Sequence, residues 1–222
     1  NCSGPQMYVH DDVKSAIPFI EKSQASGNPF FINLWIHEPH TPFHVDPKLQ
    51  KRFAELGEKD AIYAATLFHA DLRIGQLLDA LDRLNLAKDT LVIFSSDNGP
   101  ARGAPDAPLT LGYDSATGLG YGIAAAKGVT GGRRAYKGAL LEGGIGVPFI
   151  ARWPGKIAAD KVDKTSIFSA VDLLPTFCEI AGVKLPASYR PDGISQVATL
   201  KGKGTAIREK PLFWKTVAPW PA

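Results

Sequence analysis

The chain has 222 residues, 45% of them hydrophobic, with 25 Lys and Arg against 22 Asp and Glu for a net charge of +3. That length and apolar content support a globular core in one large domain or two small ones. No apolar stretch reaches the ~18–20 uncharged residues of a membrane span, and the basic clusters at Lys48 to Arg52 and Gly131 to Arg134 are too short for a nucleic-acid surface, so neither a membrane span nor a nucleic-acid partner is expected.

Cys2 and Cys178 permit at most one bridge and make no disulfide framework, and the redox compartment stays open. Asn1-Cys2-Ser3 matches a glycosylation sequon at the first residue, where it carries little weight. Ser15 to Ser26 mixes apolar and charged residues at helical spacing and ends at Gly27-Asn28-Pro29, predicting a short helix and a turn. Phe30 to Ile36 is a nearly continuous apolar run that suits a strand buried on both faces, stopped by the two prolines of His37-Glu38-Pro39-His40-Thr41-Pro42. Asp60 to Leu86 carries its apolar residues on one stripe and reads as a long amphipathic helix. Within it Asp71, near the apolar side, reads as a buried ion-pair member.

Thr90 to Ser96 supplies a second buried strand, ended by Asp97-Asn98-Gly99. Pro100 to Arg134 is a long Gly-, Ala-, Pro- and Ser-rich loop of the kind that is functional or mobile. Gly138 to Glu142 reads as a short helix, Val147 to Trp153 as a third strand, and Ser169 to Ala181 as a helix capped by Ser169, with a kink or late start at Pro175 and an end at Gly182. Cys178 reads as a small core residue of that helix. The rhythm of strands and helices predicts an α/β chain with a parallel sheet covered by helices on both faces.

Ligands of open α/β sheets bind outside the carboxyl ends of strands, where His37 and His40, and Asp97 and Asn98, would stand. Asp97 and Asn98 offer hard oxygen donors for Ca²⁺ or Mg²⁺, or form an Asx-turn that ends the strand. His37 and His40 are strand-end polar residues or acid–base groups, and Lys137 is a surface charge or an anion contact. Arg133 and Arg134 read as solvated surface groups. A cation, a lysine and a histidine together would suit an anionic ester.

Several stretches, in order from about Phe30 to Trp214, resemble the sulfatase family of the alkaline-phosphatase superfamily. Phe31 to Pro42 is similar to its strand leading into a Pro-His-x-Pro turn, Thr90 to Gly99 to its metal-binding strand, and Arg134 to Pro148 to its Lys-Gly-x-x-x-Glu-Gly-Gly segment. Asp172-Leu173-Leu174-Pro175-Thr176 and Asp192-Gly193-Ile194-Ser195 resemble the motifs that follow. The resemblance implies a partial alkaline-phosphatase-like sandwich over residues 1–205 and the start of a small C-terminal subdomain over residues 206–222, with Pro211 to Lys215 as its first strand. It implies that Asp97 and Asn98 ligate a divalent cation, usually Ca²⁺ with Mg²⁺ as the alternative. Lys137 would then contact the substrate sulfate, His40 would lie near the leaving-group oxygen, and His37 would be a substrate contact.

The chain departs from the family in four ways. Gly146 stands where the Gly-Gly-x-Arg-Val-Pro pattern has its arginine, and neither cysteine lies in the Cys-x-Pro-x-Arg or Cys-x-Ala-x-Arg context from which the family makes its formylglycine nucleophile. The early paired aspartates of the metal site and a Gly-Lys-x-x-His segment are also absent. The expectation is therefore an internal piece of a longer sulfatase, its formylglycine carried by a missing N-terminal part. Such a piece would be inactive alone, in a protein that hydrolyses sulfate esters of a small molecule or glycan. A related phosphodiesterase or phosphonate hydrolase, and a non-catalytic domain for anionic glycans, are the alternatives. Location outside the cytoplasm, whether periplasmic, secreted or lysosomal, rests on the resemblance alone.

Overall fold

A computed structural model describes residues 9–114 and 118–215. Cys2 and the Asn1 sequon lie outside the described residues. The elements run α1 (Val9–Ala25), β1 (Phe43–His44), α2 (Pro47–Arg52), α3 (Glu58–Arg83), β2 (Val92–Ser95), β3 (Thr110–Asp114), β4 (Gly118–Tyr121), α4 (Glu142–Ile145), β5 (Phe149–Arg152), α5 (Leu173–Ile180) and α6 (Val197–Leu200), joined by single 3₁₀ turns. They form two compact units: Asn1–Leu86 with Asp97–Val147, and Ala87–Ser96 with Pro148–Ala222.

The first unit is built on α3. Ala61, Ile62, Ala65, Thr66 and Ala70 recur at helical spacing and are buried, and their small side chains let neighbouring backbones approach. Ile62 packs with Phe43 and Ala125 in one cluster, and Ala70 packs with Val13 of α1 in another, joined by Leu34 and Ile36. Arg83 pairs with Glu21, and Gln24 donates to the Leu84 carbonyl, tying α1 to the end of α3. Asp71 is exposed rather than buried, because the buried stripe runs through Ala70 and leaves the next residue outside.

The chain from Phe30 to Ile36 has no ladder partner among the described residues. Ile32, Leu34 and Ile36 turn inward while Phe31 and Trp35 are 67% and 78% exposed, so one face is covered where both were expected to be. The period-2 alternation of an extended strand is nonetheless present. The long Gly-rich loop is more ordered than its composition suggests: β3 and β4 form an antiparallel hairpin, and β4 also pairs with β1, in the order β1-β4-β3. Phe43 faces Tyr121 and His44 faces Gly120 in that ladder.

In the second unit β2 pairs with β5, from Val92 opposite Arg152 to Ser95 opposite Phe149. This ladder, like every ladder among the described residues, is antiparallel, where a parallel sheet was expected. A parallel pair needs a crossover that returns the chain to its starting edge, usually a helix. Between β2 and β5 the chain instead makes a hairpin and the four-residue α4.

The short helix expected at Gly138 to Glu142 lies later, as α4, because Gly143 and Gly144 continue the turn rather than break it. Ser169 and Asp172 form a capping box, and α5 then starts at Leu173, so that Pro175 falls in its first turn where its missing N–H costs little. Cys178, on α5, is half-buried. Pro211 to Lys215, expected as a strand, has no ladder among the described residues; Phe213 is 85% exposed.

The fully buried Asp172 organises this unit. Its carboxylate accepts from the Ser169 amide at 2.9 Å, the Ile194 amide at 2.9 Å, the Gln196 amide group at 3.3 Å and Arg208 at 2.6 Å. Thr176 donates to the Asp172 carbonyl and accepts from the Gln196 amide. A Cβ on Gly193 would stand 2.0 Å from the Val171 carbonyl oxygen, so only glycine lets the second motif lie against the first.

Candidate active site

All five residues singled out from the sequence, His37, His40, Asp97, Asn98 and Lys137, lie in the first unit. The contacts described there gather them into two groups. His37 and His40 share one turn closed by the His40 amide donating to the His37 carbonyl at 2.8 Å, with their rings edge to face at 5.6 Å. Both X–Pro bonds of this turn, Glu38-Pro39 and Thr41-Pro42, are cis. Both imidazoles are exposed, whereas Glu38 between them is buried, 4.0 Å from His69 of α3.

His40 Nδ1 lies 2.6 Å from the Thr41 carbonyl oxygen. A carbonyl only accepts, so Nδ1 carries the proton and donates, leaving Nε2 as the nitrogen that can take up or release a proton towards a ligand.

Asp97, Asn98 and Lys137 form the second group, and glycine backbone brings it together. The Gly99 amide donates to the Gly144 carbonyl at 2.8 Å, and the Lys137 amide donates to the Pro100 carbonyl at 2.9 Å. A Cβ on Gly99 would stand 1.9 Å from the Gly143 carbonyl oxygen. One on Gly143 would stand 1.9 Å from the Ala135 oxygen, and one on Gly144 2.2 Å from the Ala139 oxygen. Each of these approaches is shorter than a side chain permits, so the glycines interlock the segment after Asn98 with the loop that carries Lys137. Sequence reading missed this role of Gly99, Gly143 and Gly144; the Gly-Gly pair was the available signal.

The donor chemistry fits a hard cation. Asn98 Nδ2 donates to its neighbour's carbonyl, the Gly99 oxygen, at 2.9 Å, which commits the nitrogen and leaves Oδ1 as the amide's acceptor. Asp97 adds a carboxylate. Two such donors fall short of the six to eight oxygens Ca²⁺ takes, and among the described residues no group of three His, Cys, Asp or Glu side chains is placed to hold a metal.

The Lys137 loop is thus tied through backbone to the segment that follows Asp97 and Asn98, while His37 and His40 stand on a separate turn of the same unit. Residues 1–183 match the Sulfatase family profile, and the chain belongs to the sulfatase family. It is 31% identical to arylsulfatase G of Rattus norvegicus over 189 residues, covering 85% of this chain and 33% of that protein. The crystal structure of Ps i-CgsB in complex with k-i-k-neocarrahexaose matches with a TM-score of 0.72 at 26% identity, over 92% of this chain and 41% of that one. The PsFucS1 sulfatase from Pseudoalteromonas sp. matches with a TM-score of 0.68 at 26% identity, over 94% of this chain and 38% of that one. The chain thus spans about a third of the length of the curated relative it matches. The α/β, alkaline-phosphatase-like fold class expected from the sequence holds, although the ladders described are antiparallel.

Proposed function

We propose that the intact protein hydrolyses sulfate esters, and that the residues gathered by the interlocked glycines bind the sulfuryl group. The supporting observation is the backbone clasp that holds Lys137 against Asp97-Asn98-Gly99-Pro100. In this reading Lys137 holds a sulfate oxygen and offsets its charge, and Asp97 and Asn98 ligate Ca²⁺ together with donors beyond those described. Bound Ca²⁺ would supply Lewis-acid stabilisation of negative charge on the sulfuryl oxygens. His40, through Nε2, protonates the leaving-group oxygen, its ring fixed by the Nδ1 contact with Thr41. His37, edge to face with it, contacts the alcohol portion of the substrate.

The relative bound to neocarrahexaose supports a saccharide as that alcohol. Family membership supports a location outside the cytoplasm, whether periplasmic, secreted or lysosomal. In the same reading residues 1–205 belong to the catalytic domain and residues 206–222 open a smaller one.

Comparing sulfate monoesters with phosphate diesters and phosphonates on the intact protein tests the proposal. Preferred turnover of the sulfate ester, lost on chelation of divalent cations, is the expected result. Preference for the phosphorus esters would replace it with a phosphodiesterase, and binding of sulfated glycans without turnover would replace it with a binding protein.

A further inference from the structure

Arg133 stands in the Lys137 loop, and its side chain fills a particular place. A Cβ added to Gly146 would lie 3.3 Å from Arg133 Cδ and 3.4 Å from its Nε, so the arginine's stem crosses the space that a side chain at position 146 would claim. Position 146 is where the Gly-Gly-x-Arg-Val-Pro pattern carries its own arginine. Gly146 also lies in a tight turn, its amide donating to the Glu142 carbonyl at 2.7 Å, and a Cβ there would come within 2.6 Å of that oxygen. The turn excludes a side chain at 146, and an arginine from the facing loop covers it.

That loop is held in shape. Gly131, Gly132 and Ala135 have positive φ angles of 63°, 84° and 67°. The Thr130 hydroxyl donates to the Arg133 carbonyl at 2.7 Å, and the Gly143 amide donates to the Arg134 carbonyl at 2.8 Å. Arg133, Arg134 and Lys137 are all exposed, and among the described residues none of their side chains makes an ion pair or hydrogen bond. Glu142, exposed in the adjoining turn, pairs with none of them. Three positive charges within five residues, none paired among the described residues, are available to anionic groups of a ligand. One sulfate ester group carries a single negative charge, which Lys137 suffices to meet.

We infer that Arg133 binds a second anionic group of the substrate, a further sulfate or a carboxylate on the same saccharide, and so selects polyanionic esters over simple ones. A guanidinium suits this role because its planar fork takes a sulfate or carboxylate through two parallel hydrogen bonds. The stem's seat on Gly146 limits the freedom lost on binding. This inference rests on the sulfatase reading of the Lys137 site.

The test uses the intact protein and two substrates, 4-nitrophenyl sulfate with one anionic group and a disaccharide bearing two sulfates, with wild type, Arg133→Gln and Arg133→Lys. Arg133→Gln keeps much of the stem over Gly146 and removes the charge. It should raise KM for the disulfated substrate by about tenfold or more, the scale of one lost charge-assisted contact, and leave 4-nitrophenyl sulfate within about twofold. Arg133→Lys should recover part of the loss. An equal fall on both substrates, or no change on either, overturns the inference. If wild type turns over neither substrate, the sulfatase reading fails instead. Calorimetric binding of the disulfated disaccharide then decides the inference separately: weakened binding in Arg133→Gln sustains it, and unchanged binding overturns it.

Discussion

At the scale of single residues, Gly143 and Asp172 hold loops of the two units in place by opposite means. Gly143 does so by having no side chain: a methyl group there would meet the Ala135 oxygen at 1.9 Å and the Arg134 oxygen at 2.6 Å, both backbone atoms that cannot swing aside. Gly143→Ala should therefore destabilise the protein by about 1–3 kcal/mol or more, the usual cost of overpacking, read as a lowered urea midpoint. An unchanged midpoint would mean that the clasp around Lys137 yields more easily than these distances imply. Asp172 acts through charge. Burial alone would raise its carboxyl pKa, but hydrogen bonds from Arg208, Ile194 and Ser169 and the Arg208 charge outweigh burial and hold it below the ordinary value. A carboxyl depressed in the folded state stabilises the fold at pH values above the unfolded pKa of about 4, and that stability disappears as pH falls through the folded value. Asp172→Asn leaves Arg208 without its counter-charge. It should cost about 3–5 kcal/mol at neutral pH and flatten the acid limb of stability below about pH 4, measured by denaturant titration at several pH values.

At the scale of elements, the β3–β4 hairpin replaces what the composition of Pro100 to Arg134 presents as irregular loop. Its ladder with β1 fixes it to the strand that begins just past the His40-Thr41-Pro42 turn, and it presents Leu111 and Tyr113 at 58% and 78% exposure. Exchanging this hairpin for that of another sulfatase in the intact protein should change the preference among sulfated saccharides, as relative kcat/KM. An unchanged ranking would remove the hairpin from substrate selection. The hairpin was hidden in the sequence because glycines at 112, 118, 120 and 122 break the alternation by which strands are recognised. By contrast α3 was legible almost to its ends, since its buried residues recur at helical spacing from Ala61 to Ala70 and again at Ala80 and Leu81. Strand direction was not legible. Apolar runs at Thr90 to Ser96 and Val147 to Trp153 announce strands, but whether they run parallel depends on the connection between them, which here contains no crossover helix. The candidate site residues stand out only as members of ordered motifs, because Asp97, Asn98 and Lys137 are individually ordinary. The interlocking backbone that joins them is a property of glycine positions far apart in sequence.

At the scale of the whole molecule, the chain is sulfatase-family structure, and the roles proposed for it are an anion-binding lysine, two cation ligands and a proton-transfer histidine. Neither Cys2 nor Cys178 lies in the sequence context from which the family's nucleophile is made, and two oxygen donors bind Ca²⁺ weakly. The 222-residue polypeptide alone should show no turnover of 4-nitrophenyl sulfate with or without Ca²⁺; measurable metal-dependent turnover would show that the chain carries a nucleophile of its own. The central claim is that Lys137, clasped beside Asp97 and Asn98, holds the sulfuryl group during hydrolysis. Its most direct test is kcat/KM of the intact protein for 4-nitrophenyl sulfate before and after Lys137→Ala, with thermal unfolding measured on both. A loss of about 100-fold or more is expected, the scale of a removed charge contact to the reacting group, at an unchanged unfolding temperature. Activity within about threefold of wild type, or a loss matched by unfolding, would contradict it.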